Sequence, residues 1–440
     1  MHLKRVAGLI IVPITLLSSC VTVADYNFST INRNVSDGDY AAVYNDLERN
    51  STALYSDHDA VLEFLDKGIV SHFCGNYDRS NEELSNGEKK IEEYYAKSIS
   101  QTVTSFVAND TVTDYSGDTY EDIYINIFKA LNYIAVSDTD DAFVEIRRFD
   151  NKLKTITQKY QVLLAQQKQQ MSAGSDAVPV AKIEFYNSAL ARYLSMLLYR
   201  AAGDRDSALV DKRSIEEAFK MQPALYKFPV PQSVPSEISV PAGMARLNII
   251  SFTGRSPVKY EKTIRVNAGA TYYKLALPEM VKQPSLIVSA TVTAISKTDG
   301  AAFTADVDKL ESIEDIALDT FEQKYALLFA RSLARSIAKA ATTQTFDYMA
   351  RKSDGNESLV FSLLKVASAV TTEATERADV RTSRFFPATA GVAGITVKPG
   401  FYDVVLRYYG VSGNIVAIRT YPAVSVSSGN LNLIESVCQQ

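Results

Sequence analysis

Between residues 120 and 151 the apolar side chains keep a helical spacing. Ile123, Ile127, Ala130, Leu131 and Ile134 recur at three- and four-residue steps, and after the polar turn Ser137 to Asp140 the pattern resumes at Ala142, Ile146 and Phe149. That spacing places the apolar groups on one face of each of two helices, so the stretch predicts a helical hairpin, prolonged by a glutamine-rich helix from Lys152 to Met171. The same period predicts an earlier pair, from Asp39 to Asn50 and on from His58, with Val61, Leu62, Phe64 and Leu65 leading to Gly68, Gly75, Tyr77, Leu84 and Ile91. A later pair starts near Phe185, runs through Tyr193, Leu197 and Leu198, turns at Gly203-Asp204 and resumes at Ala208, Ile215 and Ala218. No proline falls between Ala24 and Val178, which suits continuous helix because proline removes a backbone donor. Residues 37–222 are therefore expected to form a helical domain, with residues 172–181 as a loop.

Five of the thirteen prolines fall between Pro223 and Pro241, and residues 223–241 read as a proline-rich linker. Beyond it the period shortens to two. Arg246 to Ile249, Ile264 to Val266, Tyr272 to Leu277 and Leu286 to Ile295 predict half-buried strands. Strands return at Gly394 to Lys398, Phe401 to Tyr409, Ile415 to Tyr421, Val424 to Ser427 and Leu431 to Val437, separated by turn residues such as Pro399-Gly400. Between the two sets, residues 313–379 predict a helical insert, with Leu327, Ala330, Ala334, Ile337 and Ala341 on one face. The expected fold is thus α+β and multidomain, with helical hairpins followed over residues 242–440 by a β-sandwich-like domain that a helical hairpin interrupts.

The first twenty residues change the picture. Lys4 and Arg5 precede an apolar run from Val6 to Leu17, and small residues then lead to Cys20. That run is far shorter than the roughly twenty residues needed to span a bilayer, so residues 1–19 read as a signal peptide. Leu17-Ser18-Ser19-Cys20 resembles the lipobox of bacterial lipoproteins. The resemblance implies cleavage before Cys20, a diacylglyceryl group on its thiol and acylation of the new amino terminus, and several acyl chains hold a protein stably where one does not. Val21 in place of Asp after the cysteine implies, by resemblance to enteric lipoproteins, the outer membrane, with the protein facing the periplasm. Residues 20–36 read as a lipidated tether.

The leader carries two basic and no acidic side chains, so 44 basic groups face 51 acidic ones in the mature chain. Nucleic acid is not an expected partner of such a surface. Cys74 and Cys438 remain; Cys74 lies among Val70 and Phe73 and reads as a buried free thiol, with a Cys74–Cys438 disulfide as the alternative in an oxidising compartment.

Ala130 and Ala142, twelve residues apart across the central turn, put small side chains where two helices cross, and Gly68, Gly75 and Tyr77 resemble the helix-to-helix turn of tetratricopeptide repeats. The turns are separated by about sixty residues instead of thirty-four, which makes these degenerate units with insertions. Tyr120 to Asn151, with KALNYIA at 129–135 and DAFVEIRRFDNKL at 141–153, is similar to the signature of a family of uncharacterised bacterial lipoproteins with a tetratricopeptide-like region. The resemblance continues at Gly254 to Lys259, Ala330 to Lys339 and Ala378 to Arg381, although Ser383-Arg384 stand where such proteins often have tryptophan. It implies an envelope location and this architecture, and no catalytic residues.

Motifs of catalysis are sparse. The sequence contains no GxSxG, P-loop or GxGxxG, and His58 and His72, fourteen residues apart, lack metal-ligand spacing, so they read as surface or hairpin-contact residues. Asp138, Asp140 and Asp141 are placed to cap a helix, without the glycine and distal glutamate of a calcium loop. Arg331, Arg335 and Lys339 form a basic stripe that reads as a solvated helix face. Glu145, Arg147 and Arg148 share the second helix of the central hairpin and are candidates for a partner-binding groove, an internal salt bridge being the competing reading. Arg255 and Lys259, on a tight connection opened by Gly254 and Pro257, are expected to be exposed to a partner. The expected function is a non-enzymatic scaffold or adaptor for an envelope complex in secretion or cell-wall synthesis, with no cofactor and no metal. The alternative is a peptidoglycan- or glycan-binding lipoprotein whose C-terminal strands use some of the 25 tyrosines, in a chain without tryptophan.

Overall fold

A computed structural model describes residues 28–100, 113–170, 175–180, 183–268, 271–352 and 377–440, so Cys20 lies outside the described residues. Helices α1 (Ser29–Asp37), α2 (Tyr40–Arg49) and the one-turn α3 (Ser51–Leu54) lead to three consecutive pairs: α4 (Ala60–Phe73) with α5 (Tyr77–Ser100), α6 (Thr119–Ala135) with α7 (Thr139–Gln170), and α8 (Ala189–Ala201) with α9 (Arg205–Met221). Each pair touches the next through α5 on α6 and α7 on α8.

Four helix-to-helix turns use one two-residue device: Gly38-Asp39, Gly75-Asn76, Ser137-Asp138 and Gly203-Asp204. The first residue of each is left-handed, with φ between +64° and +80°. Its N–H and that of its successor return to carbonyls of the finishing helix, as Gly203 does to Arg200 and Asp204 to Tyr199. The side chain of the second residue then accepts the N–H three positions on, at Ala42, Arg79, Asp141 and Ser207. One dipeptide therefore closes a helix and opens the next.

The strands are β1 (Ala245–Thr253), β2 (Val258–Ala268), β3 (Thr271–Val281), β4 (Ser289–Ser296), β5 (Ala302–Asp306), β6 (Asp308–Ser312), β7 (Thr389–Val397), β8 (Gly400–Tyr409), β9 (Ile415–Val426) and β10 (Asn432–Cys438), with the 40-residue α10 (Ile313–Lys352) between β6 and β7. They form one sheet ordered β10-β1-β7-β6, a second ordered β5-β4-β8-β9, and a β2–β3 ribbon. Strand β1 runs parallel to β10 and antiparallel to β7. Its odd side chains Ala245, Leu247 and Ile249 join an apolar cluster with Val292 of β4 and Val404 and Leu406 of β8. Its even side chains Ile250 and Phe252 belong to the helical core, which runs from Ile31 of α1 to Val392 of β7.

Several expectations are corrected. Residues 29–36 of the expected tether are helical, within α1, and bury Ile31 and Val35. The proline-rich stretch 223–241 is no exposed spacer, because Leu225, Tyr226, Val234 and Glu237 are buried in it. The alternation at Arg246 to Ile249 is real, but its polar face meets helices instead of water: Arg246 and Asn248 both donate to the buried Glu237, which also receives Arg200. The two expected strands at 415–427 are one, interrupted by an extra residue near Ala423 at φ +52°, a β-bulge opposite Tyr402 and Val404. Of the insert at 313–379, α10 is described and residues 353–376 lie outside the described residues. Cys74 and Cys438 are both free thiols, and Cys74 is exposed.

Candidate binding cavity

The candidate site starts at the first residue before α6. Asp118-Thr119-Tyr120-Glu121 is a capping box, in which Glu121 Oε2 accepts the Asp118 N–H at 2.6 Å. The Asp118 carboxylate is almost wholly buried between Lys259 Nζ of β2 at 2.8 Å and Lys324 Nζ of α10 at 2.7 Å. Burial alone pushes its carboxyl up, and the two ammonium groups more than offset this and hold it below the usual carboxylate range. Glu121 goes the other way, raised by its burial and by the Asp118 charge. Tyr115 donates to Glu121 at 2.7 Å, and three cations face its ring: Lys259 and Lys324 at 5.3 Å and Arg381 at 5.4 Å from the centroid. Arg381 in turn pairs with Asp59 at 2.9 Å and Asp379 at 2.8 Å.

Four distant stretches of sequence meet here: the start of the central hairpin, Gly254 to Lys259, the basic stripe of α10, and Ala378 to Arg381. Beside them opens a cavity of about 440 Å³ between α5, α6, α7 and α10. Asp118, Thr119 and Lys324 contribute polar lining, Ile91, Ile156 and Leu163 an aliphatic wall, and Tyr94, Tyr95 and Tyr160 aromatic surface. The Thr119 hydroxyl donates to Tyr160 Oη at 3.2 Å, and the exposed His58 pairs through Nδ1 with Asp114 at 2.9 Å. Among the described residues no cluster of His, Cys, Asp or Glu is placed to bind a metal ion.

The residues singled out in the sequence are distributed unevenly. Glu145 is 3% exposed and bound to Lys129 at 3.0 Å and Asn126 at 2.6 Å, which is the internal salt bridge and not a groove wall. Arg147 and Arg148 are exposed, and Arg148 reaches back to Glu145 at 3.3 Å. The expected exposure of Lys259 is corrected: it is 6% exposed, because it lies on the face of β2 that meets Asp118. Arg255 is half-buried and donates to the Gln439 carbonyl and to Asn32. Arg331 and Arg335 line the cavity, and Arg335 is 2% exposed, so the stripe is not a solvated face there. Asp138 caps α7 as expected. His72 is buried between α6 and β10, bound to Asn132 and Glu435. Ser383 donates to Asp66, and Arg384 stacks 3.8 Å above the Phe28 ring.

Sequence reasoning missed Tyr115 and Asp118. The only signal for them was local: an aspartate followed three positions later by glutamate, directly before an apolar helical run. No protein-family model matches this chain, and no curated protein matches it.

Proposed function

We propose that the chain is an outer-membrane-anchored lipoprotein, lipidated at Cys20 and facing the periplasm, which acts as a non-enzymatic scaffold for an envelope protein complex in secretion or cell-wall synthesis. In this reading the helix pairs are tetratricopeptide-like units and the two four-stranded sheets a β-sandwich-like layer pair. The observation that carries it is the division of charge on α7. Glu145 is consumed inside the hairpin, whereas Arg147 and Arg148 beside it face outward. Repeat-like helix pairs commonly bind partners through such exposed faces.

Cross-linking in living cells followed by affinity capture tests it. One dominant envelope protein is expected, and it should be lost from the Arg147→Glu/Arg148→Glu variant while the circular dichroism spectrum stays native. Undiminished capture by that variant would remove these arginines from the contact. The anchor is tested separately: Cys20→Ser should abolish acyl labelling and release the protein from the membrane fraction.

A second reading rests on its own observation. Phe401 on β8 is 56% exposed and Ile418 on β9, paired with Arg407, is 49% exposed, which leaves apolar surface on the second sheet. In this reading that surface binds peptidoglycan or another glycan. Co-sedimentation of the full mature chain with purified sacculi, diminished by Phe401→Ala, would favour it; recovery only in the supernatant would dismiss it.

A further inference from the structure

The cavity beside Asp118 carries an inference that goes beyond the scaffold reading and does not depend on the anchor. Its volume of about 440 Å³ lies within the range of small-molecule sites. Part of its wall is purely aliphatic, with Ile156 and Leu163 from α7 and Leu327 and Leu328 from α10. The question is which charge, if any, a ligand should carry.

Four carboxylates reach the lining, and each is already matched by cations. Asp114 pairs with His58 at 2.9 Å and Lys97 at 3.2 Å, and Asp118 with Lys259 and Lys324. Asp122 pairs with Lys152 at 2.7 Å, and Asp379 with Arg381 at 2.8 Å. A cationic ligand would have to displace one of these partners, three of which come from behind the lining. Lys159 differs: its ammonium stands 4.9 Å over the Tyr95 ring and makes no ion pair with a described residue. It sits on α7 three residues after Ile156 and four before Leu163, so all three share one helix face. A cation is therefore set beside an aliphatic wall.

We propose that this cavity binds a single-chain anionic amphiphile, a fatty carboxylate, with its head group on Lys159 and its chain along Ile156, Leu163, Leu327 and Leu328. Tyr95 keeps the lysine over its ring until the carboxylate arrives, and the tyrosine rings cover the chain.

The test is calorimetric titration of the full mature chain, carrying Cys20→Ala so that no detergent is needed, with dodecanoate below its micelle concentration. Saturable one-to-one binding is expected. Lys159→Ala, on a half-buried side chain that leaves the core intact, should weaken it about tenfold, the loss of one charge-assisted contact. Leu163→Trp, which fills the cavity, should abolish it, and dodecyltrimethylammonium should not bind saturably. Absence of saturable dodecanoate binding would overturn the proposal. So would equal affinity for the cationic amphiphile, or unchanged affinity in Lys159→Ala. Any of these results would leave the partner-capture experiment unaffected, so the two readings fail separately.

Discussion

Raising the pH should loosen the joint between α4 and β10, because that joint is a buried imidazolium. His72 is 3% exposed; its Nδ1 lies 2.6 Å from Asn132 Oδ1 and its Nε2 lies 2.6 Å from Glu435 Oε1. The Asn132 amide nitrogen donates to Ser80 Oγ at 2.9 Å and Asn81 Oδ1 at 2.8 Å, which turns the amide oxygen toward the ring. Both ring nitrogens therefore face acceptors, and only the doubly protonated ring satisfies both. Burial pushes the pKa of this histidine down, but the charge and hydrogen bond of Glu435, with the Asn132 contact, push it up by more, and the net shift is upward from 6.5. A raised native pKa means that the folded protein keeps a proton the unfolded chain has released. The stabilisation is complete below about pH 6.5 and is lost as the pH rises through the native value, with a slope of at most about 1.4 kcal/mol per pH unit.

Urea midpoints from pH 6 to pH 9, for the native chain and for His72→Gln, measure this directly. At pH 6 the variant should be less stable by about 3 kcal/mol, the low end for truncating a buried pair, since Glu435 is itself partly exposed. The difference should shrink as the pH rises, because the native protein loses what the variant never had. Proton NMR of the ring supplies the second reading. A difference that stays constant or grows, or a ring that titrates below 6.5, would refute the assignment of a charged His72.

Two further predictions concern packing and charge. Lys259→Met leaves Asp118 buried with Lys324 alone and should cost about 3 kcal/mol in thermal or urea unfolding, whereas Lys262→Met, which breaks only the solvent-screened surface pair with Glu279, should leave the unfolding midpoint nearly unchanged; equal losses would contradict the burial of the Asp118 site. At Gly68 an added Cβ would lie 2.6 Å from Leu84, so Gly68→Ala should destabilise by about 1–3 kcal/mol and be relieved by Leu84→Ala. Gly75→Ala meets no neighbour but sits at φ +77°, so its cost of about 1–2 kcal/mol should be unaffected by Leu84→Ala.

The helices were legible because their apolar residues recur on one face and their turns carry Gly-Asp, Gly-Asn or Ser-Asp. The central hairpin, the turn at Gly203-Asp204 and the strands from Phe401 onward fall close to where the spacing puts them. What misled was the meaning of polar positions. Arg246 and Asn248 alternate with Leu247 and Ile249 as a solvated face would, yet they point at Glu237 under the helices. Lys259 and Arg335 look like surface cations in sequence and are buried. A one-dimensional pattern gives the direction of a side chain but not what stands opposite: Glu237 reaches Arg246 and Asn248 from the preceding proline-rich stretch, and Asp118 reaches Lys259 from more than a hundred residues away. The five-residue strand β6 was missed for a related reason, since among the described residues its sheet partner is β7, across the whole of α10; β5, equally short, pairs locally with β4.

These buried polar groups bear on how function must be tested. Where helices meet strands, single carboxylates are gripped from both sides: Asp118 by Lys259 and Lys324, and Glu237 by Arg200 of α8 and Arg246 of β1. Glu311 of β6 accepts the hydroxyls of Tyr124, Ser188 and Tyr226 and the N–H of Leu190 at the start of α8. Such groups add little net stability when complete, yet removing one partner strands a buried charge at a cost of several kcal/mol. Deleting residues 37–222 would take Tyr124, Ser188 and Leu190 from Glu311, leaving it Tyr226, and strip Arg200 from Glu237, besides removing most of the apolar core that covers Ile250 and Phe252. A loss of partner capture after that deletion would report unfolding as readily as a lost contact. Substitutions at the exposed Arg147 and Arg148 for the partner, and at the half-buried Lys159 for the ligand, leave every one of these joints intact, and only such variants separate the two proposed functions from the fold.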